Sequence, residues 1–102
     1  MSIEYRVTIV TSTPYNVANN DEVIMVDLPG PASIILPANG NSNDNKKRAL
    51  YIKDYSGNAR QNPITITAAG GKTIDGGAFA LLSRGYSHIQ FVYDGTNWKT
   101  IA

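Results

Sequence analysis

The period of the apolar residues constrains this chain more than any other feature. Ile3, Tyr5, Val7 and Ile9 alternate with Glu4, Arg6, Thr8 and Val10, the pattern of a half-buried strand with the first set facing inward. Leu50 and Ile52, Ile64 and Ile66, and Ile89, Phe91 and Tyr93 repeat the same spacing. In a strand, residues two apart share a face, so each of these sets is expected in the core. No window holds a helical period over the roughly 10–12 residues a helix needs.

Turn chemistry separates these runs. Ser12-Thr13-Pro14, Asn19-Asn20-Asp21, Pro29-Gly30-Pro31, Pro37, Asp54-Tyr55-Ser56-Gly57-Asn58 and Asp94-Gly95-Thr96-Asn97 each supply residues that stop a strand or tighten a turn. Between them the sequence predicts strands near Ile3–Val10, Tyr15–Val17, Val23–Val26, Ser33–Leu36, Arg48–Lys53, Ile64–Thr67, Phe79–Leu82, Tyr86–Tyr93 and Trp98–Ile101. The last two form a hairpin in which Tyr93 packs against Trp98. Residues 38–47 carry no large apolar side chain and read as a loop. There is no clear internal repeat and no linker, so residues 1–102 form one β domain. Strands about every 8–12 residues predict an all-β fold, an antiparallel β-sandwich or jelly-roll-like barrel.

Composition narrows the chemistry. The 102 residues carry 9 Lys plus Arg against 8 Asp plus Glu, a net charge of +1. Nucleic-acid domains usually show a clear basic excess, so nucleic acid is not an expected partner. Cysteine is absent, which excludes disulfides, thiolate metal sites and cysteine nucleophiles. His88 is the single histidine, so multi-histidine zinc sites are excluded too. No apolar run approaches the ~18 residues of a membrane helix. Met-Ser-Ile-Glu-Tyr-Arg lacks the apolar centre of a signal peptide.

Each reactive residue type has a plain structural reading. Ser87 and Asp94 are not spaced to form a triad with His88, which reads as a surface residue on a strand's polar face. Asp54, Asp75 and Asp94 sit beside turns, where an aspartate accepts backbone N–H groups. Paired carboxylates can hydrolyse glycosides, but no paired acid–base motif is evident. Gly71-Lys72-Thr73 resembles the end of a phosphate loop, yet Ile66 stands where the first glycine belongs. Asn39, Asn41, Asn43 and Asn45 offer alternating oxygens, but Asp44 occupies the position an EF-hand reserves for glycine. No metal, cofactor or catalytic residue is therefore expected.

Partner contacts are expected elsewhere. Lys46, Lys47 and Arg48 form the one basic cluster, suited to an acidic partner surface. Tyr15 and Tyr55 belong to a set of six tyrosines that suits chain–chain interfaces or a glycan, since one end of the ring is apolar and the other wet. A small chain without staples also gains from partners that bury more of its surface.

The order of motifs adds a resemblance. Ile34-Ile35-Leu36-Pro37, Tyr51-Ile52-Lys53-Asp54-Tyr55-Ser56-Gly57-Asn58-Ala59, Asn62-Pro63-Ile64-Thr65-Ile66, Thr73-Ile74-Asp75-Gly76 and Asp94-Gly95-Thr96-Asn97-Trp98 resemble, in that order, small β modules of tailed-bacteriophage virion proteins. These are fibres, spikes and capsid decoration (cement) proteins. The resemblance spans about residues 15–101 and implies a non-enzymatic homotrimer on the particle surface, assembled in the host cytoplasm. It supplies no catalytic residues. The chain has no shaft or coiled coil and opens on a methionine, so a decoration protein bound to the major capsid protein or another virion protein is the leading expectation. A tail fibre, spike module or receptor-binding tip recognising host glycan is the alternative.

Overall fold

A computed structural model describes residues 4–41 and 47–101. Nine strands lie among them: β1 (Val7–Val10), β2 (Tyr15–Asn16), β3 (Val23–Val26), β4 (Ala32–Leu36), β5 (Ala49–Asp54), β6 (Ile64–Ala68), β7 (Phe79–Leu82), β8 (His88–Tyr93) and β9 (Trp98–Ile101). They form a five-stranded sheet, β1-β3-β5-β8-β9, and a four-stranded sheet, β2-β4-β6-β7. The all-β expectation stands, and most strand positions match those read from the sequence. Strand β8 starts later than expected because Tyr86 adopts a positive φ of 60° and Ser87 turns back to bond the Arg84 carbonyl.

The expected antiparallel pairing does not hold throughout, and no barrel closes. Pairs β1–β3, β3–β5, β2–β4 and β4–β6 are parallel, while β5–β8, β6–β7 and β8–β9 are antiparallel. Parallel neighbours cannot be joined by a tight hairpin and need a crossover. Here each crossover is itself a strand of the opposite sheet. From β1 to β6 the chain alternates between sheets, so successive circuits stack like turns of a short solenoid. Strands β7, β8 and β9 are then each added antiparallel to their neighbour, β6, β5 and β8 in turn, and end the winding.

This is a structural repeat where the sequence shows none. The ladder stacks Ile24 on Ile52 and Ile34 on Ile66, yet the segment joining β4 to β5 is far longer than that joining β2 to β3. Unequal loops hide the period.

Both sheets face one apolar core. Ile24, Leu50, Ile52, Phe91 and Trp98 come from the larger sheet, and Ile34, Leu36, Ile64, Ile66 and Leu82 from the smaller. Phe91 and Tyr93 are buried as expected, and Ile89 packs partly buried at the core's margin. The Tyr93 and Trp98 rings lie 5.2 Å apart, and the Trp98 indole N–H donates to the Pro37 carbonyl at 3.0 Å, tying β9 to the end of β4. Gly40 lies against the other ring of this pair: a β-carbon there would fall 2.1 Å from Tyr93 Cγ.

Strand β1 corrects the sequence reading. Tyr5, Val7 and Ile9 are about half exposed (50%, 51% and 51%), whereas Val10 is buried and Thr8 points inward at Asp21. Ile3 lies outside the described residues. The reason is register. Thr8 aligns with Ile24 and Val10 with Val26, and aligned residues in a ladder share a face. The inward face of β3 therefore decides that of β1.

Candidate functional site

A buried polar cluster centres on Asp21, at the start of the segment leading into β3. Asp21 is 4% exposed. Its carboxylate accepts hydrogen bonds from the Thr8 hydroxyl (2.7 Å), the Tyr15 hydroxyl (2.5 Å) and the Ala18 backbone N–H (2.8 Å). The buried Arg48 reaches the same segment from the far end of a long loop. Its guanidinium donates to the Asp21 carbonyl at 2.6 Å and the Ala18 carbonyl at 3.1 Å. Buried polar groups are tolerable only when so satisfied. Together these bonds fix residues 18–22 against β1, β2 and the strand β5 entrance.

The titration of this cluster follows from its contacts. Burial, which alone would raise the Asp21 carboxyl, is outweighed by the Tyr15, Ala18 and Thr8 hydrogen bonds and by the positive charge of Arg48, so it sits below its ordinary value. Burial, then the hydrogen bond to Asp21 and its negative charge, push the Tyr15 phenol up to about 12. Burial pulls Arg48 below its ordinary value against the opposing pull of Asp21 and Glu22.

A sign follows for Tyr15. A phenol raised from 10 to about 12 favours the folded state while it stays protonated in both states. That contribution is complete below pH 10 and disappears as pH rises toward 12. After solvent screening it amounts to on the order of 1 kcal/mol. Urea unfolding of the wild type and Tyr15→Phe between pH 8 and about 11.5 measures it. The stability difference between them should shrink by that amount above pH 10; a difference that stays flat over the range refutes the Tyr15–Asp21 coupling.

Beside this cluster an open groove of about 610 Å³ lies where the chain enters β1, β3 and β5, lined by Tyr5, Arg6, Asn19, Asn20, Glu22, Lys47 and Tyr51 with Asp21 and Arg48. A second depression of about 300 Å³ continues from it, sharing Tyr5 and Tyr51 and adding Val23, Lys53 and His88. The Tyr5 and Tyr51 rings meet edge to face at 5.7 Å, and Tyr51 lies 6.4 Å from the His88 ring. Gln90 donates to the Tyr51 hydroxyl at 3.0 Å, and Lys53 donates to the Tyr86 carbonyl.

Of the three aspartates expected to serve turns, Asp54 and Asp94 do, whereas Asp75 reaches across to strand β9 because the chain brings Thr100 beside it. Asp54, 2% exposed, accepts from the backbone N–H groups of Gly57 (3.2 Å), Ala59 (2.9 Å) and Tyr86 (3.1 Å). Asp75 accepts from the Thr100 N–H (3.0 Å) and hydroxyl. Asp94 accepts from Thr96 and Asn97, each at 2.8 Å, within the β8–β9 turn. His88 is exposed on the outer face of β8. Asn39 accepts from the Asn41 N–H at 3.0 Å, an Asx turn, while Asn43, Asp44 and Asn45 lie outside the described residues. Among the described residues no group of three or more His, Cys, Asp or Glu is placed to hold a metal ion.

The five expected contact residues do not form one patch. Tyr15 is half-buried and spends its hydroxyl on Asp21. Arg48 turns inward, so the basic cluster is not a continuous exposed one. Lys46 lies outside the described residues. Lys47 is exposed at the groove, and Tyr55 is exposed (48%) in the turn after β5, away from the groove lining. The groove residues that sequence reasoning missed are Asn19 and Asn20, which read as a turn with Asp21, and Glu22, which no motif marked. The only signal was their place just before β3, the strand that pairs with β5. No family model matches the chain, and no curated protein matches it.

Proposed function

We propose that this chain is a structural protein of a tailed-bacteriophage particle, a homotrimeric capsid decoration protein that stabilises the head without catalysing a reaction. One observation carries the reading. The edge strands β1 (Val-Thr-Ile-Val) and β7 (Phe-Ala-Leu-Leu) carry no charge and expose Val7, Ile9, Phe79 and Leu81 to about half their area. Proteins that live alone protect sheet edges with charges, prolines or bulges. An edge left apolar suits a chain whose edges are covered by identical neighbours. The motif order of virion β modules and the near-neutral charge, which permits close packing of copies, support the same reading. Many such contacts on a repeating lattice would add by avidity rather than through one tight site.

Light scattering on the full chain at micromolar concentration should give three times the 11.0 kDa mass. Placing lysines at Val7 and Ile9 together should reduce it to the monomer without unfolding it. In cryo-EM of the particle, density for the chain should sit on the head. A monomeric wild type, or density confined to the tail, overturns the proposal.

A further inference from the structure

Asp21 and Arg48 form the floor of a groove whose size and lining suit a ligand. Its two joined depressions, about 610 and 300 Å³, fall in the roughly 300–1,000 Å³ range of small-molecule sites. Along one side stand aromatic rings: Tyr5, half exposed, edge to face with Tyr51. The same groove is lined by Asn19, Asn20, Glu22 and Lys47, all exposed. One Glu22 carboxylate oxygen accepts from the Arg6 N–H at 2.6 Å, and the other carries no hydrogen bond among the described residues. The combination is specific in its chemistry. An apolar ring face matches the C–H face of a pyranose, and amides that both donate and accept match its neighbouring hydroxyls. The two depressions share Tyr5 and Tyr51, so together they give room for more than one sugar ring.

The buried cluster beneath explains why the site keeps its shape. Arg48 holds the carbonyls of Ala18 and Asp21, and Asp21 holds the Ala18 N–H. The loop that presents Asn19 and Asn20 is thus pinned before any ligand arrives, which lowers the ordering cost of binding. The two further donors to Asp21, the Thr8 and Tyr15 hydroxyls, brace this loop against β1 and β2.

We infer that this groove binds a pyranose oligosaccharide, stacked on Tyr5 and hydrogen-bonded by Asn19, Asn20 and Glu22. The inference does not depend on where on a particle the chain sits, nor on its being a trimer. Lys47 and Arg6 beside the rings would also accept a carboxylate-bearing sugar, so the same stacking chemistry serves neutral and uronic-acid ligands.

The test is an array of neutral and uronic-acid oligosaccharides probed with the full chain, followed by calorimetric titration of the strongest binder of either class. Binding should fall about tenfold in Tyr5→Ala, the loss of one stacked ring. It should also fall several-fold in Asn20→Ala. Phe79→Ala, on the other sheet, should leave it unchanged. Tyr5 and Asn20 are exposed, and circular dichroism and thermal unfolding confirm that each variant is folded. Failure of the folded wild type to bind either class, or binding that survives both Tyr5→Ala and Asn20→Ala, overturns the inference. A monomeric mass in light scattering would remove the trimer and leave this site standing.

Discussion

Trp98→Ala should lower the unfolding free energy by about 3–5 kcal/mol, the range for truncating a large buried aromatic residue. Trp98 is completely buried at the start of β9. Three losses coincide on its removal. A cavity opens between the two sheets, where the ring packs among core residues from both. The Pro37 carbonyl loses its indole donor, and Tyr93 loses the ring 5.2 Å away. Tyr93 is itself confined by Gly40, so it has little freedom to collapse into the space. Trp98→Phe separates the terms. It keeps much of the packing and forfeits the hydrogen bond, and should cost about 1–3 kcal/mol. Urea unfolding of the three proteins measures both values. A domain of this size has only about 5–15 kcal/mol in total, so the alanine variant should be near its limit at 37 °C. A loss below about 1 kcal/mol in Trp98→Ala would show that the two sheets do not depend on this tie.

Asp54→Ala should cost about 3 kcal/mol, because three backbone N–H groups lose the carboxylate that accepts them, itself only 2% exposed. Those groups belong to Gly57 and Ala59, in the turn after β5, and to Tyr86, in the turn before β8. One carboxylate thus joins the exit of β5 to the entrance of its neighbour β8. Gly57 has a φ of +83°, and a β-carbon there would fall 2.4 Å from the Tyr86 ring, so the two turns also fit each other sterically. Asp54→Asn retains one carbonyl oxygen and should lose roughly half as much. Hydrogen exchange gives the sharper reading. The amides of Gly57, Ala59 and Tyr86 should lose protection together in Asp54→Ala, ahead of those in β4 and β6. Protection that falls evenly over the whole domain would show that Asp54 supports global stability and not these turns in particular.

These sites differ in how far the sequence revealed them. The Asp54 turn was legible, since Asp-Tyr-Ser-Gly-Asn is local and an aspartate there has N–H groups within reach. The Trp98 contact with Tyr93 was legible too, because a short turn fixes hairpin register. Its bond to Pro37 was not, for nothing local relates β9 to the end of β4. The Asp21 cluster was hidden for the same reason. Asp21 reads as the last residue of an asparagine-rich turn, and Arg48 as the last of a basic run. Only the stacking of β1, β3 and β5 brings Thr8, Asp21 and Arg48 to one place.

The exposed apolar edge of β1 makes the division clearest. A period of two fixes that Tyr5, Val7 and Ile9 lie on one side and Thr8 and Val10 on the other; it holds no information on which side meets the core. The register with Ile24 and Val26 chose Thr8 and Val10. The sequence by itself determined that the chain is all-β, where most strands begin and end, and which residues share a face. Those properties come from steric preferences and turn chemistry within a few neighbours. The tertiary structure alone decided that the first six strands wind as parallel circuits between two sheets, that Tyr5, Val7 and Ile9 turn outward, and that a groove forms above Asp21 and Arg48. Alternation looks the same in parallel and antiparallel ladders, so strand partners are chosen by how the whole chain closes its core.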